Sequence, residues 1–147
     1  MGEWDLVRKI MEEEGIIKFW RVKIRPGSPP LFGKWKNIPI FGLPGNPVSS
    51  HVVFRMLVAP WLLHVTGADS PTPIIIKAKL IDSVKSTSDC LTFRRVTITS
   101  TENGLEARQP RHQGSGNIES LASADALTVL EPGQSGNAGE IIDVILL

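Results

Sequence analysis

Between Glu14 and Asp69 the chain carries no carboxylate, yet Lys18, Arg21, Lys23, Arg25, Lys34, Lys36 and Arg55 all fall in that interval. Cations gathered without counter-charges suit an anionic ligand. The same interval holds the turn Pro44-Gly45-Asn46-Pro47, in which Asn46 is a good N-cap and Pro47 fits the first position of a helix. A helix starting there presents unpaired N–H groups and the positive end of its dipole, which favour phosphate or another oxyanion. The net charge of +1 conceals this patch: before residue 70 there are nine basic against six acidic residues, and from Ile74 onward seven against nine. The competing reading is that these cations are only the solvated face of a strand and loop.

Other candidate chemistry fails on spacing. Gly27 to Lys34 approaches a phosphate-binding P-loop, but it is one residue too long, Trp35 stands where Ser or Thr is needed, and its prolines remove amide donors. Ser49-Ser50-His51 has no G-x-S-x-G context, and adjacent residues on a helix do not face one another. His51, His64 and His112 lack metal-ligand spacing, and the single cysteine, Cys90, has nothing beside it to activate a thiol. The tryptophans at 4, 20, 35 and 61 read as core or domain-contact residues before they read as a base-stacking platform, so nucleic acid is not the expected partner.

The elements that would carry the basic patch can be placed from periodicity. Asp5 is positioned to cap a helix over residues 6–14, with Leu6, Val7, Ile10 and Met11 on one face and Gly15 just past its end. Residues 16–24 read as a strand, 25–30 as a proline-rich turn, and 38–43 as a short buried strand leading into a helix that runs from Pro47 towards His64, with Pro60 as a kink or break. Strand, tight loop and helix form a βα unit, so an α/β region is expected there. Residues 67–73, with Pro71 and Pro73, read as a linker. Beyond it, strands are expected over 74–80, 91–99, 105–109, 126–130 and 141–147, with Asn103-Gly104 as a type I′ hairpin turn. That pattern predicts a small antiparallel barrel or sandwich.

Composition bounds the rest. At 147 residues, 41% hydrophobic and 21% charged, the chain has the size of one domain or two small ones and the make-up of an ordinary globular protein. One cysteine excludes an internal disulfide and points to a reducing compartment. No run approaches the roughly 18 consecutive apolar residues of a membrane span, and the first residues lack the features of a secretory signal. A soluble, cytoplasmic protein with no membrane partner is expected.

Three ordered groups of residues carry a resemblance. Phe19-Trp20-Arg21-Val22-Lys23-Ile24-Arg25-Pro26-Gly27-Ser28-Pro29, Gly42-Leu43-Pro44-Gly45-Asn46-Pro47-Val48-Ser49, and Gln113-Gly114-Ser115-Gly116 with Ser120 to Leu127 resemble the C-terminal half of the molybdopterin molybdenumtransferases. These are the MoeA proteins, whose eukaryotic relatives include the E domain of gephyrin. The resemblance implies part of a molybdopterin-binding, MogA-like α/β domain over residues 1–70, a linker at 71–73, and a small all-β barrel or sandwich domain over 74–147. It implies molybdenum cofactor synthesis, in which adenylylated molybdopterin is hydrolysed and molybdate is inserted into the dithiolene with magnesium assisting. By the resemblance Asp5 is the acidic residue at the pterin and metal site, and Arg21 and Arg25 are basic residues leading to the Pro-Gly turn. Pro44, Pro47 and Ser49 lie at the pocket, and Arg95 with Ser115 faces the cleft associated with molybdate.

The departures from the family matter too. Its usual Lys-Pro-Gly-Lys-Pro reads Arg25-Pro26-Gly27-Ser28-Pro29 here, which removes one cation and changes another to a planar guanidinium. Gly2-Glu3-Trp4-Asp5 looks like the end of the family's Gly-Gly-Val-Ser-x-Gly-Glu-x-Asp motif, so the chain is expected to begin mid-motif and to show weak or no activity alone. Homo-oligomerisation is expected, with an exposed sheet edge within 16–43 as one route. The alternative is a non-catalytic molybdopterin-binding or protein-assembly module on the same fold.

Overall fold

In a computed structural model of the chain, the described residues are 6–68, 73–110, 114 and 118–147. Asp5, Ser115 and most of the expected linker therefore lie outside them. The first helix, α1 (Leu6–Glu14), forms as its apolar spacing predicts, with Met11 buried and an Arg8–Glu12 ion pair one turn apart at 2.7 Å. Gly15 follows it, but not as a left-handed cap. Its φ is not positive, and a Cβ there would lie 2.8 Å from Met11 Cε and 3.0 Å from the Lys34 carbonyl oxygen. Close approach, rather than backbone freedom, requires the glycine.

The expected strand over 16–24 divides in two. β1 (Ile16–Trp20) ends where Arg21 turns the chain with φ 69°, and β2 (Ile24–Arg25) pairs elsewhere. β3 (Leu31–Trp35) and β4 (Ile38–Gly42) complete an antiparallel sheet in the order β1-β3-β4. The two-residue loop Lys36-Asn37 joins them with φ 47° and 66°, the double positive φ of a type I′ turn. β4 is an edge strand of exposed and half-buried residues, not a buried parallel one, which explains how it accommodates Pro39. In the described residues this region is therefore helices against an antiparallel sheet. The parallel pairings expected of a βα unit occur instead in the second sheet.

The helix from Pro47 runs to Val65 without a break. Asn46 Oδ1 accepts from the Ser49 N–H, Pro47 sits at the first helical position, and α2 (Pro47–Val53) passes through a π-helical turn at Phe54–Val58 into α3 (Ala59–Val65). Pro60 lacks a donor and its ring crowds the carbonyl four residues back; the wider turn before it, with the Ala59 N–H bonded to the Phe54 carbonyl, relieves that crowding. By length and composition alone the Pro47–Val65 helix could cross a membrane. Here it packs within the fold: Val48, Val52 and Val53 are buried, and Arg55 Nη2 donates to the Leu146 carbonyl at 2.9 Å. Its far half meets the first sheet through Trp61, the end of a row of rings with Phe41, Phe32 and Phe19.

The second region closes into a barrel. β5 (Ile75–Leu80), β7 (Leu91–Thr101), β8 (Gly104–Arg108), β9 (Ala126–Leu130) and β11 (Ile141–Leu146) follow the order β7-β8-β5-β11-β9, and β9 pairs back onto β7. Every expected strand is present within two residues at its ends. β6 (Val84–Lys85) and β10 (Ser135–Gly136) form a separate ribbon, and the short α4 (Ile118–Ala122) was not legible in the sequence. The β7–β8 loop differs from expectation. Only Gly104 has positive φ, Thr101 pairs with Gly104, and the loop residues are Glu102-Asn103. Leu80, Val84, Val96, Ala107, Ala126, Leu130 and Val144 fill the interior. A second cluster of Val52, Phe93, Leu127 and Ile145, joined by Ile24 and Leu91, ties the helix and β2 to the barrel wall.

Two outcomes follow from this packing. A Cβ on Gly33 would sit 2.5 Å from the Ile16 carbonyl oxygen, whereas nothing lies within 4 Å of one on Gly45. Gly33→Ala should therefore lose about 1–3 kcal/mol in urea denaturation, the usual cost of overpacking, while Gly45→Ala stays near wild type. His51 Nε2 is buried without a hydrogen-bond partner among the described residues. Burial, then the nearby Arg55, holds its pKa below the ordinary 6.5. The unfolded chain then binds this proton more readily, so the stability from neutral His51 is complete above 6.5 and is lost as pH falls through the range below it. His51→Gln should flatten the fall in denaturation midpoint across that range.

Candidate functional site

The pairing of β2 with β7 is parallel and only two residues long, Ile24 opposite Leu91 and Arg25 opposite Thr92. It brings Arg25 beside the β7 residues that follow, Arg94 and Arg95. The Arg25–Pro26 peptide is cis, and Gly27 at φ 113° turns the chain against the helix. A Cβ on Gly27 would lie 2.8 Å from Val53 Cγ2 and 3.3 Å from the Ser49 carbonyl oxygen, so only glycine lets the loop lie this close. The result is a cleft of about 250 Å³. Its apolar walls are Val48, Val52 and Phe93, and its polar wall is Arg25, Arg94, Arg95 and the backbone at Gly114.

Among the described residues, none that lines this cleft is acidic. Arg95 is 2% exposed, and its Nη2 donates to the Gly114 carbonyl at 3.1 Å. Arg94 donates through Nε and Nη2 to the Lys85 carbonyl, at 3.1 and 2.8 Å. Burial and then the charge of Arg25 lower the Arg94 pKa; burial and then Arg94 lower that of Arg95. An arginine guanidinium keeps its proton in a folded protein, so both stay charged at neutral pH. Three like charges held against an apolar wall raise the local potential, and a bound anion relieves that repulsion. The planar forks of arginine match the oxygens of a tetrahedral oxyanion.

The structure thus brings Arg25 and Arg95 together and adds Arg94, which the charge pattern before residue 70 gave no reason to include. The tandem Arg94-Arg95 on a barrel strand was the available signal. Arg21 is placed elsewhere: its guanidinium lies 4.3 Å from the Trp20 ring centre, where Arg8 also stacks at 3.7 Å. Pro44, Pro47 and Ser49 sit around the start of α2. The Pro44 carbonyl accepts from Ser50 Oγ, Pro47 opens the helix, and Ser49 is 7% exposed. None of the three lines the arginine cleft, which meets the next residues of α2 instead. Asp5 and Ser115 are outside the described residues, although Ser115 directly follows Gly114 in the chain.

Magnesium finds no ligand set among the described residues. No group of three His, Cys, Asp or Glu side chains converges there, and a cleft walled by arginines repels a divalent cation.

Comparison with known proteins identifies the family. Residues 1–64 match the family described as "Probable molybdopterin binding domain", and residues 77–147 match the MoeA C-terminal region, domain IV. The chain is 33% identical over 148 residues to a molybdopterin molybdenumtransferase of Haemophilus influenzae, covering 98% of this chain and 36% of that protein. It is 32% identical over 154 residues to the molybdenum cofactor synthesis protein cinnamon of Drosophila melanogaster, covering 100% of this chain and 26% of that one. Among solved structures, the molybdopterin biosynthesis MoeA protein of Pyrococcus horikosii superposes with a TM-score of 0.81 at 33% identity, over 97% of this chain and 34% of its own. The chain spans about a third of the length of these relatives. Its two matched regions, in the order found in the sequence, place it in the molybdopterin molybdenumtransferase family of molybdenum cofactor biosynthesis, as a match to the C-terminal portion of its members.

Proposed function

We propose that this chain supplies the oxyanion side of a molybdopterin molybdenumtransferase site, with molybdate as the tetrahedral anion taken by the cleft between Arg25, Arg95 and the helix that starts at Pro47. The observation that carries this reading is the convergence of Arg25, Arg94 and Arg95 in a cleft that has no acidic lining among the described residues. Arg25 and Arg95 each offer N–H groups to the molybdate oxygens. Val48, Val52 and Phe93 exclude water from one side and so strengthen those contacts. The resemblance adds Ser115, which follows Gly114 in the sequence. Adenylylated molybdopterin is the second substrate: its dithiolene receives the metal and its phosphates meet the basic residues near the helix start. Magnesium, with Asp5 as its acidic ligand, enters this reading through the resemblance alone.

A reducing, cytoplasmic setting is part of the proposal, supported by the single cysteine. So is self-association, supported by the exposed Leu62, Leu63 and Val65 at the end of the helix and by the edge strand β4.

Titration calorimetry with molybdate tests the oxyanion reading. Arg95→Met should weaken binding about 10- to 100-fold, because a hydrogen bond to a charged group contributes about 1.5–3 kcal/mol. Unchanged affinity in both Arg25→Met and Arg95→Met, or no binding to the unaltered chain, would remove the proposal. The 147-residue chain alone should convert adenylylated molybdopterin and molybdate no faster than buffer, as followed by mass spectrometry of the product. Rapid conversion would mean that these residues hold a whole active site.

A further inference from the structure

We propose that Arg94 is the specificity element of the cleft: a third cation, held in place by the Lys85 carbonyl, that makes the site select doubly charged tetrahedral oxyanions over singly charged ones of the same shape. This rests on the oxyanion reading of the cleft and deepens it. Two observations set Arg94 apart from its neighbours. It lines the cleft together with Arg25 and Arg95, and one edge of its guanidinium is fixed by two hydrogen bonds to a single backbone oxygen, that of Lys85.

That oxygen is itself well placed. Lys85 lies in the β6 ribbon, opposite Ser135 of β10, and Val84 before it is buried in the barrel core. The Arg94 backbone is equally fixed, because its N–H donates to Thr128 Oγ1 at 3.1 Å across the β7–β9 ladder. A carbonyl orients the guanidinium without cancelling its charge, whereas a carboxylate in the same place would neutralise it. Two of the five N–H donors go to Lys85, which leaves three for a ligand in the cleft that Arg94 lines. Arg94 thus arrives oriented and fully charged, so little side-chain freedom is lost when an anion binds.

Coulomb energy scales with the product of the charges. A third cation therefore adds about twice as much attraction for a dianion as for a monoanion at the same position. Arg25 and Arg95 suffice to bind either; Arg94 widens the gap between them. A neutral residue at 94 should accordingly lower monoanion affinity by some factor and dianion affinity by about the square of that factor.

The test uses the full 147-residue chain and two tetrahedral probes that differ in charge, molybdate and perchlorate, with sulfate as a second dianion. Arg94→Gln should lose about the square of its perchlorate loss for both molybdate and sulfate, narrowing discrimination, with thermal stability measured alongside. Arg94→Lys keeps the charge and should retain most of the dianion preference. Equal fold-losses for perchlorate and molybdate in Arg94→Gln would reveal a purely structural role and overturn the proposal. So would unchanged molybdate affinity in Arg94→Gln while Arg95→Met abolishes binding, an outcome that leaves the oxyanion reading intact. Failure of the unaltered chain to bind any of the three anions would remove both.

Discussion

Ile24 and Arg25 pair in parallel with Leu91 and Thr92, and the arrangement of the molecule depends on that two-residue ladder. It attaches the N-terminal region to a barrel whose strands begin at Ile75. Once the ladder is made, the turn after Arg25 is confined between the barrel wall and the helix from Pro47, and Gly27 accepts the confinement because it has no side chain to displace. Val52, Phe93, Leu127 and Ile145 then pack across the seam, with Ile24 and Leu91 at its edge. The apolar cluster stabilises the junction while the cations gather at its rim. The same contacts that hold the two regions together therefore create the cleft.

The rim carries an electrostatic cost. Arg94 and Arg95 are partly desolvated, and beyond that burial Arg25 weakens Arg94's hold on its proton and Arg94 weakens that of Arg95. Backbone carbonyls at Lys85 and Gly114 satisfy some of their donors, but neutral acceptors leave the repulsion in place. On the proposed oxyanion reading, an anion bound there relieves this repulsion.

Much of the barrel was legible in the sequence, because alternating β-branched residues and turn chemistry are local signals. The strands over 126–130 and 141–146 needed nothing distant to be recognised. The first region was less legible for a physical reason. Arg21 breaks the apparent strand over 16–24 by adopting a left-handed φ that no local rule favours for arginine, and the fate of Ile24 and Arg25 is decided by a strand that comes much later. Lys36-Asn37 gives no strong turn signal either, since lysine at positive φ is uncommon. Of the site, Arg25 and Arg95 were recoverable from the resemblance to a family, whereas Arg94 became visible only when the β6 ribbon placed a carbonyl beside its guanidinium.

The π-helical turn at Phe54–Val58 does more than accommodate Pro60. One additional residue in a turn rotates everything downstream by about 100° relative to an uninterrupted α-helix. The helix therefore acts as an offset axle. Its first half turns Val48 and Val52 towards the barrel, and its second half turns Trp61 towards Phe41 of the antiparallel sheet. The offset sets the angle between the face that meets the barrel and the face that meets the antiparallel sheet, so that one rod grips two bodies.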